Sequence, residues 1–566
     1  MSRLKHRQRG APEDSTQVWR EYERGRDYVD QHGLRQSAEN CYNFYEGKQW
    51  VYNGESLKTA DGQTPPSYNI IEPTVNQKVA TVAMQAVSVH FSPQGLMSAD
   101  ELRAAGDACD ALSTYIRQLW EEAGMDNALW RYTLAAAIVG YVVVHINDDG
   151  QPEEMDGTNV FFADEQELDV QKQPYIIIRE RRQVDEVRRI GRDNGLPEEE
   201  LANILPDEDT DDQLGEMAKT EVEAEPGRGK CTVITKLWRD EDGVVCFCSS
   251  ARLVMYQPVQ RVEGLTRYPI AILRWKERKG SARGRGEVEG MIPAQMEINR
   301  LLARRANAIK TGVFPHIVYN GNAMSRDQVK LFSTVGSAIE LKGSAQNIRD
   351  VIQYLVPPQI GNDAQNLQDE LINRSMELRN AGNAALGNIN PEQASGAAIV
   401  AARSQAEIPL NWQKQAFKQF CEDLGRIWYA LIVAYNPNGL EVISADDNGS
   451  TYAKIGGDQL RALDAKVRVD VSNTNPVSRL ASEQSLYEFM QAGKISFDEF
   501  VESLDDDSNI PKAKLEDILQ RRAAAQQAQM MQLPESVPMG VPNIELPPGE
   551  ATQERNHNVL QALMAG

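Results

Sequence analysis

The sequence predicts an α+β chain organised around a pair of long helices, and three observations predict it. Apolar residues recur at helical period over residues 287–310, 363–381 and 391–435, with a short mixed segment between the first two. Runs rich in β-branched residues at 141–146, 175–179, 231–238, 244–249, 270–275 and 465–471 read as strands. Glycine, proline and capping residues fall between these runs, where helices must stop and restart.

Taken in order, residues 1–16 form a basic arm with Arg3, Lys5, Arg7 and Arg9. It reads as a solvated terminus, or as an arm that touches nucleic acid or a neighbouring subunit. Residues 16–44 read as one charged helix. Asn69 precedes an apolar run that enters a helix. Residues 100–123 are amphipathic, with Leu102, Cys109, Leu112, Ile116 and Leu119 as the stripe. A second helix, 125–139, passes through Gly140 into the strand at 141–146. Phe161 and Phe162 mark another strand, and 180–192 reads as a charged helix. Residues 198–225 hold twelve acids against one base, Lys219, half of the net charge, and read as a solvated insertion.

A basic linker, 274–285, leads into the first long helix. Its stripe is Val288, Met291, Ile298, Leu302 and Ile309. Pro293 suits only a first turn, which argues for a start at Ile292. Within the insert, 311–358, a strand ends in an Asn320-Gly321 turn. Ser325 and Gln328 form a capping box that opens a short helix. Residues 338–341 read as a strand, and 348–356 is an apolar run ending at Pro357-Pro358. The second long helix carries Ala364, Leu367, Leu371 and Leu378, with Gly382 as its C-cap. After a small-residue loop, Asn390, Pro391 and Gln393 restart a helix whose stripe is Phe417, Phe420, Leu424, Ile427, Leu431 and Tyr435. Pro409 is expected to kink it. Helices at 478–491, 497–504 and 512–532 and a Pro-rich stretch at 533–550 follow. Two helices of this length closing on each other bury only part of their apolar surface.

Composition bounds the function. A chain of 566 residues suits two to four domains. A net charge of −22 argues against a protein built to grip DNA phosphates, which needs clustered Lys and Arg. It leaves room for one that must let DNA slide. Six scattered cysteines suit a reducing compartment. No signal peptide is visible, and the longest near-apolar run, 133–146, is too short to span a bilayer. Enzyme signatures are missing. Gly227-Arg-Gly229-Lys230-Cys231 lacks the first glycine and the Ser/Thr of a phosphate loop. Gly284-Arg-Gly286 misplaces its last glycine for a dinucleotide fingerprint. The six histidines lie far apart in sequence, and nothing selects a carboxylate pair. No catalytic residue, metal ligand or cofactor is assigned.

The order of several motifs resembles that of the portal proteins of tailed bacteriophages, over roughly residues 35–530. These motifs are Tyr45-Glu-Gly-Lys-Gln-Trp50 followed by Asn69-Ile-Ile, then Gly140 between helix and strand. Gly286 to Asn299 follows, with Gln295 and Asn299. Next come Ala381-Gly-Asn-Ala-Ala-Leu-Gly387 with Ser395-Gly396-Ala-Ala398, and a strand with an Asn/Ser-Pro turn at 467–476. The resemblance implies a basic arm and helix at 1–35 and a wing at 36–282 that carries the acidic insertion. It implies stem helices at 283–310 and 359–382 flanking a clip at 311–358. A tunnel loop at 383–396, a long kinked helix at 397–436, a wing return strand at 437–475, a crown at 476–532 and a tail at 533–566 complete it. It further implies a homo-oligomeric ring of about twelve subunits at one capsid vertex. Double-stranded DNA would pass through it in packaging and ejection. The terminase large subunit, a head–tail adaptor, and the major capsid and scaffolding proteins would be its partners. Localisation would be the virion, with host cytoplasm during assembly, and no membrane. Gly382, Asn383, Gly387, Asn388 and Asn390 would line the channel. Tyr319, Asn320, Gly321, Arg326 and Lys330 would lie on the docking surface of the clip. The alternative is a non-portal adaptor or scaffold of a phage particle that docks through the helical hairpin.

Overall fold

The structure, a computed structural model, describes residues 7–9, 14–56, 65–83, 85–93, 99–207, 229–313, 316–322, 324–331, 351–355, 363–378, 407–446, 449–463, 465–473 and 489–504, with single positions at 338, 349, 405, 486, 487, 515 and 519. The chain divides into two units, Met1–Ser478 and Arg479–Gly566.

The first unit opens with β1 (Arg7–Arg9), α1 (Ser15–Gln31) and α2 (Leu34–Tyr45). The single helix expected over 16–44 is two. Gly33, at φ +58°, cannot continue a right-handed helix and starts a new one. A small hairpin, β2 (Val51–Tyr52) and β3 (Glu55–Ser56), precedes α3 (Ile71–Ala83), β4 (Gln85–Pro93), α4 (Ala99–Glu122) and α5 (Met125–Val139). The strand region holds β5 (Tyr141–Ile146), β6 (Pro152–Met155), β7 (Val160–Phe162) and β8 (Tyr175–Gln183). Helices α6 (Val184–Asp193) and α7 (Glu198–Leu201) interrupt it before β9 (Lys230–Arg239), β10 (Val245–Ala251), β11 (Val254–Val262) and β12 (Ile270–Arg274). Then come α8 (Ile292–Val313), β13 (His316–Tyr319), α9 (Arg326–Lys330), β14 (Ile352–Leu355) and α10 (Asp363–Leu378). The unit ends with α11 (Asn411–Tyr435), β15 (Gly439–Asp446), β16 (Gly449–Gly456), α12 (Gly457–Ala462) and β17 (Ala465–Asn473).

Two sheets frame the body. A six-stranded antiparallel sheet has the order β1-β11-β10-β9-β8-β7, and a three-stranded one the order β12-β5-β6. Strand β17 pairs with β4 over nine residues, Ala465↔Pro93 to Asn473↔Gln85, joining distant segments of the chain. The most extensive of several buried clusters among the described residues packs around these, with α11 central to it. Phe417, Phe420, Leu424, Ile427 and Trp428 are all buried, each worth about 1.5–3 kcal/mol by area removed from water. Trp428 meets Trp120 of α4 edge-on, and Phe420 meets Tyr132 of α5 in the same way. The expected kink at Pro409 is a 3₁₀ turn, Ile408–Leu410, immediately before α11. In the second unit, α13 (Phe497–Glu502) starts on a capping box of Ser496 and Glu499, and Phe500, Val501 and Leu504 form a small core.

Several expectations shift. Arg7–Arg9 is a strand on the edge of the large sheet, pairing Arg7↔Val262 to Arg9↔Gln260. Leu102 leaves the stripe of α4 and stays half exposed, while Ala105 and Ala108 fill the buried row. The segment expected as a helix from 180 begins as the end of β8, because Glu180 to Gln183 still pair with β9. The acid-rich block does not begin as a solvated insertion. Leu201 and Ile204 are fully buried against α6 and β9, so residues 198–207 belong to the body. Asp207 holds this boundary: its carboxylate accepts from Thr232 N at 2.7 Å and pairs with buried Arg181 at 3.2 Å. Residues 208–225 lie outside the described residues. Gly229-Lys230-Cys231 runs into β9, so Gly229 opens a strand and not a helix.

Candidate functional site

Three motifs that are far apart in the sequence meet at the root of α8: Tyr45–Trp50 with Asn69-Ile-Ile, Gly140, and Gly286–Asn299; Ala381–Gly387 and Ser395–Ala398 lie outside the described residues. First is a backbone crossing. Gly140 closes α5 at φ +121°, and a Cβ there would lie 2.6 Å from Gly286 N. A Cβ on Gly284 would lie 2.1 Å from Gly140 O, and one on Gly286 would lie 2.3 Å from Ile138 O. Only hydrogen fits at these three positions. Trp275 N donates to Gly140 O and Glu287 N to Ala137 O, which locks the crossing to the end of α5.

Second is a buried ion group. Glu287 was expected inside the first long helix. That helix begins at Ile292, as Pro293 argues, and Glu287 lies in the turn before it, 1% exposed. Lys78 of α3 donates to Glu287 Oε1 at 2.7 Å, and Lys276 to Oε2 at 2.7 Å. Trp275 Nε1 adds a contact to Oε2 at 3.3 Å. Burial alone would raise the carboxyl pKa, but Lys78 and Lys276 overcome it and hold it at about 2. Four residues earlier in the chain, Arg283 of the basic linker grips Glu165 with two hydrogen bonds, at 2.9 and 2.7 Å, and donates to Gly157 O and Val160 O. Burial opposes the charge of Arg283, and Tyr141 and Glu165 more than offset that.

Third is a polar ladder on one face of α8. Gln295 and Asn299, one turn apart, are both fully buried. Gln295 accepts from Ile70 N at 3.1 Å and donates to Tyr68 O at 2.7 Å. Asn299 accepts from Tyr68 N at 3.1 Å and donates to Gln49 Oε1 at 2.7 Å. Gln49 passes the network to Asn69 and Phe44 O, and Asn69 donates to Tyr45 O while its own oxygen accepts from Ile71 N. Thus the Tyr45–Trp50 and Asn69-Ile-Ile motifs are both tied to α8.

Beyond this root the helix pair loses cover. Ile298 is fully buried, whereas Ile309, further along α8, is 56% exposed. On α10, Leu367 is 47% exposed near the level of Arg305, and Leu378, which the antiparallel run brings back towards the root, is 82% exposed. Between the helices Arg305 donates to Gln368 at 2.6 Å. At the far end β13 pairs with β14, His316↔Leu355 to Tyr319↔Ile352, over a small core of Met324, Val351 and Ile352. The capping box of Ser325 and Gln328 is present, and Asn320 turns the chain by accepting from Asn322 N. Tyr319 packs on that core, while Asn320, Gly321, Arg326 and Lys330 are exposed, Lys330 in a pair with Asp327. The channel candidates Gly382, Asn383, Gly387, Asn388 and Asn390 lie outside the described residues.

Sequence reasoning missed Lys78, Arg283, Glu165 and the role of Glu287. Lys78 did leave a signal. It falls on the apolar row of Val75, Val79 and Val82, and a lysine there demands a buried acid. Among the described residues no group of three or more His, Cys, Asp or Glu is placed to hold a metal ion, and no helix is long and apolar enough to cross a membrane.

The arrangement is mechanical: it fixes one end of a helix pair and carries a small module on the other. A model of the phage P22-like portal protein family matches residues 19–564. No curated protein matches the chain. The family is structural and non-enzymatic, and it implies a multimer with capsid partners at the phage vertex. With that match running almost from end to end, and three of the motifs of the resemblance meeting at the root of α8, the chain belongs to the phage P22-like portal protein family.

Proposed function

We propose that this chain is the subunit of a closed ring, of about twelve copies, that conducts double-stranded DNA through one capsid vertex in packaging and ejection. The observation that carries this reading is the uncovered helix pair on its locked root. Ile309, Leu367 and Leu378 face solvent in one chain, and neighbouring copies of the same pair would cover them. Heterologous contacts that close produce such rings. The acidic balance fits a conduit, since every phosphate neutralised by Lys or Arg would add friction to moving DNA.

In this reading α8 and α10 are the stem, and 311–358 is the clip, which docks the terminase large subunit and later the tail adaptor. The exposed Asn320, Gly321, Arg326 and Lys330 support that role. Gly382 to Asn390 forms the narrowest point, where Asn383, Asn388 and Asn390 offer hydrogen bonds without a cationic clamp. The major capsid and scaffolding proteins seat the ring, which forms in the host cytoplasm and ends in the virion.

Native mass measurement and negative-stain imaging of the purified protein test the reading. Closed rings with a central hole are expected. A single-subunit mass at micromolar concentration, with no rings on adding salt or scaffold, overturns it.

A further inference from the structure

The two long helices carry opposite charge. Within its bounds α8 holds Arg300, Arg304, Arg305 and Lys310 against Glu297, and α10 holds Asp363, Asp369, Glu370 and Glu377 against Arg374. Their nearest charges are paired within each helix, Arg300 with Glu297 at 3.5 Å and Arg374 with Glu370 at 2.6 Å. Among the described residues no ion pair joins α8 to α10. Where the helices touch, Arg305 is held by neutral acceptors, Gln368 at 2.6 Å and Gln365 at 3.5 Å.

That contact orients the rest. Arg304 comes one residue before Arg305, and Asp369 one residue after buried Gln368. Each residue turns an α-helix by about 100°. The two helices run antiparallel, so a step back on one and a step forward on the other lead to opposite flanks of the pair. Arg304 therefore stands on one flank and Asp369 on the other, and both are exposed. They also stand at nearly the same height, within about one turn or ~5 Å. With Arg304 on one flank and Asp369 on the other at one height, the hairpin cannot join these two charges itself, but a copy rotated beside it can.

We propose that Arg304 of each subunit pairs with Asp369 of the next subunit around the ring, so that one flank of each stem hairpin docks on the opposite flank of its neighbour through this charge pair. This rests on the ring reading above and adds which faces meet. A rotation about an axis along the helices moves the neighbour sideways without changing height, which is what this placement requires. The contact is heterologous: the same two flanks never meet themselves. Ile309 and Leu367 would supply apolar contact beside it.

The test uses the full chain with Arg304→Glu and Asp369→Arg, made singly and purified separately. Both positions are exposed, so each variant is expected to fold, checked by an unchanged thermal midpoint of the monomer. Alone, each variant places like charges at every interface. One exposed pair is weak, but a closed ring repeats it at each contact, and the ring fraction is expected to fall more than about tenfold. Mixed in equal amounts before assembly, the two variants form alternating contacts. At one contact the introduced glutamate meets the introduced arginine, and at the next the unchanged Arg304 meets the unchanged Asp369. Rings containing both masses are then expected in native mass spectra, at a yield near that of the wild type. A pair formed within one chain could not be rescued by mixing. If the wild type forms rings and the mixture assembles no better than either single variant, the pairing is wrong and the ring reading stands. Normal assembly of both single variants also overturns the pairing, and a loss of polyanion passage in those rings would instead place Arg304 on the channel wall. If the wild type forms no ring under any condition, both readings fall together.

Discussion

Replacing Glu287 with Gln is expected to destabilise the first unit by about 3–5 kcal/mol, the usual loss when one partner of a buried ion pair is removed. The magnitude follows from the geometry. Glu287 is 1% exposed and carries Lys78, itself 4% exposed, on one oxygen and Lys276 on the other. Lys276 is half exposed and can turn to water, but Lys78 would be left charged in the core. The pH dependence gives an independent figure. The carboxyl is held at about 2, against 4.5 ordinarily. Its contribution is therefore complete above about pH 4.5 and is lost as pH falls towards 2. A depression of this size is worth on the order of 3 kcal/mol. Scanning calorimetry and urea titration from neutral pH down towards pH 2 measure both effects. With an unfolding entropy near 2.1 cal/mol/K per residue, a unit of this length would drop in Tm by roughly 1 °C per kcal/mol, so about 3–5 °C. The double variant Lys78→Met with Glu287→Gln is expected to recover more than half, because no buried charge remains unpaired. A Glu287→Gln protein within about 1 kcal/mol of wild type at neutral pH, with an unchanged acid limb, would refute the reasoning.

Further outcomes follow from the same root and its surroundings. Gly140→Ala is expected to be among the most damaging single changes, beyond about 3 kcal/mol, since it forces a Cβ against Gly286 N at φ +121°, whereas Gly54→Ala, at φ +78° in open space, is expected to remain soluble with a loss of about 1 kcal/mol. Soluble yield and denaturant midpoints compare them. Asn299→Leu removes the acceptor of Tyr68 N and the donor to Gln49 Oε1 and is expected to cost about 1–3 kcal/mol, read as faster amide exchange at Tyr68 to Ile71. Removing residues 1–9 uncovers the β11 edge at Gln260 to Val262, and light scattering is expected to show self-association. All six native cysteines are buried, so cysteines placed at Asn383 or Asn388 are expected to react selectively with a thiol-reactive probe on packaged DNA. Labelling of clip positions alone would remove the loop from the constriction.

Much of the fold was legible because it is written in local pattern. The start of α8 at Ile292 followed from Pro293, the capping box at Ser325 and the helix entry at Ser496 are present, and the strands holding Cys246, Cys248 and Val142 to Ile146 are where β-branched runs placed them. Strand β4 and the separate strands of the β15–β16 hairpin were not read from the sequence, although Val87, Val89 and Phe91 alternate along β4 and Leu440 and Val442 along β15. Leu201 and Ile204 were hidden inside an acidic block whose charge dominated its reading.

By itself the sequence determined the α+β class, the two long helices with their insert, the missing enzyme signatures and the order of motifs shared with portal proteins. These depend on residue type at short spacing, which acts through backbone propensity and one-sided burial. The tertiary structure alone decided that Gly140 must touch Gly286, that Lys78 must answer Glu287, and that Gln295 and Asn299 must hold Tyr68 and Ile70. It alone set Arg304 and Asp369 on opposite flanks of one hairpin. Such partners lie up to 250 residues apart, and buried polar groups choose them by distance and geometry in the folded core, where an unmade bond has no water to replace it.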